Sequence, residues 1–176
     1  MWRVPAISTA LLSCLILGCD HPVDEELHLN FVGLAPLEVD TVPDDTDGDG
    51  DVEGYIAEEV TVELRLDPHP NINAFQQRQI DITSYSIEYT VLPPTGGTIP
   101  GYFNGTAMHL AAGEQGEFPI RAVSFKQKTH VRETFGAGAD VNVTANLTLS
   151  GTTDDGEAFE EIGAFDIIFA NFVEPE

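Results

Sequence analysis

From Val60 to Leu66 the chain alternates aliphatic and polar residues without a break, with Val60, Val62, Leu64 and Leu66 set against Thr61, Glu63 and Arg65. Successive side chains of a strand point to opposite faces, so the pattern demands one buried and one wet face and excludes a helix. The alternation recurs. Thr83, Tyr85, Ile87, Tyr89 and Val91 predict the inner face of a second strand, with Ser84, Ser86, Glu88 and Thr90 outside and Pro93-Pro94 closing it. Val141, Val143, Ala145, Leu147 and Leu149 stand likewise against Asn142, Thr144, Asn146, Thr148 and Ser150.

The turn-rich stretch Gly151 to Gly156 then leads into a strand from about Ala158 to Asn171, with Phe165, Ile167 and Phe169 on one face, which predicts a terminal hairpin. Shorter patterns suggest strands at 27–32, 105–110 and 118–132. Helical periodicity is confined to a turn near Asn73 to Arg78. Seven or so strands split by Gly, Pro and Asp turns predict an all-β fold, a single antiparallel β-sandwich. The pattern from Leu27 to Val173 is similar to immunoglobulin-like and fibronectin type III-like domains, without their core Cys and Trp, since the one tryptophan is Trp2. That resemblance implies an architecture and carries no site residues.

Ahead of this domain, Arg3 precedes an apolar segment from about Ala6 to Leu17, ended by Gly18 before Cys19. A run of about a dozen residues suits a secretory signal peptide, since a spanning helix needs roughly 20. Ile16-Leu17-Gly18-Cys19 resembles the lipobox of bacterial lipoproteins. The resemblance implies that Cys19 becomes the first mature residue and carries diacylglycerol, commonly with a further acyl chain. The expected organisation is a signal peptide at 1–18, an acidic tether at 19–26, and a sandwich domain at 27–173 with an acidic loop at 40–57. Cys14 leaves with the signal, so the mature chain can form no internal disulfide.

Thirty Asp and Glu against seven Lys and Arg give a formal charge of -23, which argues against nucleic-acid partners. The acids are densest at Asp44 to Asp51, where Asp45, Asp47, Asp49 and Asp51 alternate with residues including Gly48 and Gly50. Short carboxylates on a tightly curving loop suit a hard cation that takes six to eight oxygens, and the stretch resembles calcium loops of the EF-hand, dockerin and thrombospondin type 3 kinds. Aligned as an EF-hand, it places Ile56 where a bidentate glutamate belongs, so Glu53, Glu58 or Glu59 would have to complete a looser site. The competing reading is a solvated loop held open by its own repulsion.

Arg121, Lys126, Lys128 and Arg132 are four of the seven Lys and Arg residues. If 118–132 is a strand, Lys126, Lys128, His130 and Arg132 share one face opposite Val123, Phe125 and Val131, a basic stripe suited to an anionic or acidic partner, or to guarding a sheet edge. His69, framed by Pro68 and Pro70, reads as a turn residue. Asn104, Asn142 and Asn146 begin sequons, two of them at ordinary outward strand positions. No Cys-x-x-Cys, His-x-x-x-His, Gly-x-Ser-x-Gly or phosphate-loop motif is present. The lipobox resemblance therefore implies an exported, membrane-anchored envelope lipoprotein, and the lack of a catalytic motif makes the expectation a non-enzymatic one that binds a protein or glycan or serves an assembly. Its expected contact loops are Asp44 to Glu53 and Pro93 to Gly101. The alternatives are a calcium-stabilised adhesion module and an envelope hydrolase with a carboxylate site. If the acidic loop holds calcium, calorimetric titration gives micromolar to millimolar binding that Asp47→Ala with Asp49→Ala abolishes, whereas a solvated loop gives no heat.

Overall fold

The computed structural model describes residues 28–41, 57–68, 70, 77–136 and 138–171. Within them the alternating segments become strands. β1 is Leu29–Gly33, β2 Leu37–Asp40, β3 Glu58–Leu66, β4 Gln79–Val91, β5 Thr98–Ala111 and β6 Gln115–Val123. A helix, α1 (Phe125–Phe135), precedes β7 (Val141–Thr153) and β8 (Ala158–Ala170). β3 buries Val60, Val62, Leu64 and Leu66, β7 buries all five residues predicted for its inner face, and β8 buries Phe165, Ile167 and Phe169. The predicted terminal hairpin is present, with β7 and β8 paired antiparallel from Val141↔Phe169 to Thr152↔Ala158.

Two sheets result, one of order β1-β3-β6 and one of order β2-β8-β7-β4-β5, and the buried residues of both belong to one core. Two tyrosines of β4 tie the sheets together at β6. Tyr89 Oη donates to the Ala122 carbonyl at 2.6 Å, and Tyr85 Oη accepts from the Arg121 amide at 2.8 Å. Burial pushes the Tyr89 phenol well above its ordinary range. Among the described residues every buried side-chain nitrogen or oxygen has a partner, as an interior without water requires.

The sandwich is not wholly antiparallel: β2 pairs parallel with β8, Leu37↔Ile167 through Asp40↔Ala170. β2 continues the direction of β1 after Leu34-Ala35-Pro36, and Pro36 has no amide to extend the first pairing, so the chain crosses to the other sheet still travelling with β8. The segment 118–132 is not one strand, because β6 ends at Val123 and α1 begins at Phe125. The turn expected near Asn73 to Arg78 falls largely outside the described residues.

Thr83 is a further correction, since it is exposed rather than inward. β4 buries Ile80 and Ile82, then changes phase and buries Tyr85, Ile87 and Tyr89. The cause is a bulge. Ile82 faces Gly151 and Ser84 faces Ser150, so Thr83 is an extra residue against an unbroken β7. The bulge presses β4 onto its neighbour. A methyl at Gly151 would lie 2.1 Å from the Asp81 carbonyl oxygen and 2.9 Å from the Phe159 ring. Gly151→Ala should therefore cost about 3 kcal/mol and lower the Tm by roughly 10 °C in thermal unfolding. A Tm within about 2 °C of the parent would show that the strands can part at no cost.

Candidate functional site

Of the two charged features nominated by the sequence, the basic segment lies within the described residues. Ser124 caps α1: its Oγ accepts from the Lys126 amide at 3.2 Å, and Gln127 Oε1 accepts from the Ser124 amide at 3.2 Å, a reciprocal capping box. The Ser124 hydroxyl also bonds Gln127 Oε1. Gly136, at φ 103°, ends the helix with its amide on the Arg132 carbonyl at 3.0 Å.

Helical geometry redistributes the predicted stripe. Lys126, Lys128, His130 and Arg132 would share one face at period 2, but at about 100° per residue they scatter around the helix. Gln127, Lys128 and Val131 face the core. Lys128, with only 4% of its side chain exposed, meets Glu58 Oε1 at 2.6 Å. His130 Nε2 lies 2.9 Å from the Thr98 carbonyl, which can only accept, so that nitrogen carries the proton. Lys126 and Arg132 are exposed, and Lys126 sits beside Phe125, itself 63% exposed. Two of the four cationic candidates thus hold the helix to the domain rather than face a partner.

The contacts of α1 converge on the strand ends at one pole. Gln127 Nε2 donates to the Pro100 carbonyl at 3.1 Å, and the Phe135 ring occupies the space above Gly97. Glu58 is the first residue of β3 and follows directly from the acidic loop. At the loop's other root, the Thr41 amide and hydroxyl both bond the Ala170 carbonyl, at 3.0 and 3.2 Å. Both roots of the loop are therefore pinned, one by an ion pair and one by a doubly used carbonyl. The candidate ligands Asp45, Asp47, Asp49, Asp51 and Glu53 lie outside the described residues, as do Cys19 and His69. Among the described residues no group of three or more His, Cys, Asp and Glu could hold a metal ion.

Among the described residues, two carboxylates titrate away from their ordinary range, each for a local reason. Asp155, at the β7–β8 turn, is lowered first by the Thr153 hydroxyl and then by the charge of Arg78 3.5 Å away. Glu161 points inward from β8 and is raised by desolvation. Neither has the other as its cause.

No protein-family model, curated protein or solved structure matches this chain. What a reading of the residues could have found is the helix itself, since Ser124-Phe125-Lys126-Gln127 has capping-box spacing and Gly136 supplies the stop. The Lys128–Glu58 pair carries no such signal, its partners being far apart in sequence. Lys128→Ala removes both the ion pair and a packed stem and leaves the half-buried Glu58 without its partner, so it should cost about 2 kcal/mol by denaturant titration, while Lys128→Met, which keeps the packed stem, should cost less. Equal losses would mean that the charge alone, without the packed stem, seats the helix.

Proposed function

We propose that this chain is an exported lipoprotein, held to a membrane through lipid on Cys19, whose two-sheet domain presents loops to a protein or glycan of the envelope. The address rests on Ile16-Leu17-Gly18-Cys19. The observation that carries the presenting role is the polarity of the domain. β1 begins at Leu29 opposite Leu66, the last residue of β3, so the chain comes in from its N-terminal side at the pole away from Glu58. The opposite pole gathers both roots of the acidic loop, the turn at 93–97 and α1. A domain tethered at one pole holds the other outward. That is the geometry a binding module needs, on loops set by a rigid scaffold.

The domain is read as immunoglobulin-like. The three-stranded order β1-β3-β6 corresponds to strands A, B and E of that arrangement, and β8-β7-β4-β5 to G, F, C and C′. α1 then occupies the connection from E to F.

The test is metabolic labelling with an alkynyl fatty acid in a bacterial host, followed by membrane fractionation. Wild type should take up label and sediment with membranes; Cys19→Ser should lose the label and appear in the soluble fraction. Unlabelled wild type in the soluble fraction would overturn the anchored reading.

A further inference from the structure

An asparagine followed by a glycine carries a reaction of its own. The glycine nitrogen, once it has lost its proton, can attack the asparagine side-chain carbonyl carbon, closing a succinimide ring and expelling ammonia. Glycine hinders that closure least, because it has no side chain and the freest backbone. Asn104-Gly105 is the one Asn-Gly pair in the sequence. A regular strand suppresses the reaction, since its amides are bonded to the neighbouring strand and its backbone is held extended.

β5 is not regular at this point. It is an edge strand, paired among the described residues with β4 alone, and its register slips where Thr106 and Ala107 together stand opposite Thr83. Gly105 adjoins that slip, facing Ser84. Its amide donates to Asn104 Oδ1 at 3.1 Å, so the nucleophile is held against the very side chain it would attack. Asn104 is exposed. Reacting atoms roughly 3 to 3.5 Å apart make a near-attack arrangement. Cγ lies one bond beyond Oδ1, and rotation about the Cβ–Cγ bond turns its face to the Gly105 nitrogen. At the other end of the side chain Nδ2, the leaving group, lies 3.5 Å from Tyr85 Oη.

We propose that Asn104 is a modification site, deamidated in the folded protein by the Gly105 amide with water as the only co-reactant. The Gly105 nitrogen gives its proton to hydroxide and bonds to Asn104 Cγ; the Cγ–Nδ2 bond breaks, and Nδ2 takes a proton from solvent and leaves as ammonia. Water then opens the ring. Cleavage between nitrogen and Cγ yields aspartate, and cleavage at the main-chain carbonyl yields isoaspartate, with the chain continuing through Cγ. Nothing is oxidised or reduced. The fold has a place for the aspartate. Tyr85 Oη accepts from the Arg121 amide at 2.8 Å and faces Asn104, so its hydroxyl can donate to the new carboxylate in a charge-assisted bond. Both products put a negative charge on a strand that has no Asp, Glu, Lys or Arg, whereas β2 carries Glu38 and Asp40 and β6 carries Glu117 and Arg121. The edge that starts uncharged thus acquires with age the guard that the other edges carry from synthesis. Lipid on Cys19 plays no part in this chemistry.

The test incubates the full chain, as Cys19→Ser, at neutral and mildly alkaline pH, both folded and unfolded in urea. Peptide mass spectrometry follows the exchange of an amine for a hydroxyl at position 104, with ammonia release and isoaspartate content measured alongside. The folded chain should react at position 104 at no less than about a third of the unfolded rate, and faster as pH rises. Asn142 and Asn146, followed by Val143 and Leu147 on the doubly paired β7, should stay intact in the folded chain. Gly105→Ala should fold, because the added methyl meets nothing nearer than the Thr83 carbonyl at 3.9 Å, and should slow the reaction by about fivefold or more. Asn104→Asp should keep the Tm within about 2 °C of the parent. A folded chain protected beyond about threefold relative to the unfolded one would overturn the proposal, as would a smaller effect of Gly105→Ala. A larger Tm loss in Asn104→Asp would overturn the accommodation by Tyr85. The folded-against-unfolded comparison needs no variant, so a substitution that failed to fold would not blunt the test.

Discussion

β7 sets the register of the five-stranded sheet. Its inward set runs without interruption from Val141 through Leu149 to Gly151 and Thr153, so its neighbours must either match that phase or depart from it by a whole residue. β8 matches along its length. β4 cannot, because its apolar residues fall at Ile80 and Ile82 and then at Tyr85, Ile87 and Tyr89. The extra residue at Thr83 reconciles the two, and the bare backbone of Gly151 accommodates the close approach that follows. The phase change also determines which side of β4 the tyrosines leave from. Without it, Tyr85 and Tyr89 would point to solvent instead of reaching β6.

Where one face is buried and the other wet, the residues spell out the strand, as they do for β3, β7 and β8. Two elements were illegible for physical reasons. β2 is too short to show a period, and its last residue, Asp40, reads as the start of the loop. β5 lies at an edge, where the outer side of the strand need not be polar, so only 105–110 of its span suggested a strand. α1 was misread because Val123, Phe125 and Val131 imitate a period of two, although the capping spacing at Ser124 was present. The burial of Lys128 had no local signature. Burying a lysine depends on a carboxylate that only the fold delivers, here Glu58 from β3.

Charge in this molecule is arranged by position more than by pairing. Acids sit on the short and exposed edges, where repulsion keeps other strands away, and are absent from the whole of β5. The few cations are used sparingly: Arg78 neutralises the β7–β8 turn through Asp155 and Glu157, Arg65 holds Asp67, and Lys128 seats the helix. Exposed pairs of the Arg65 kind contribute about 1 kcal/mol or less, so the buried Lys128 pair is the electrostatic contact on which local geometry depends most.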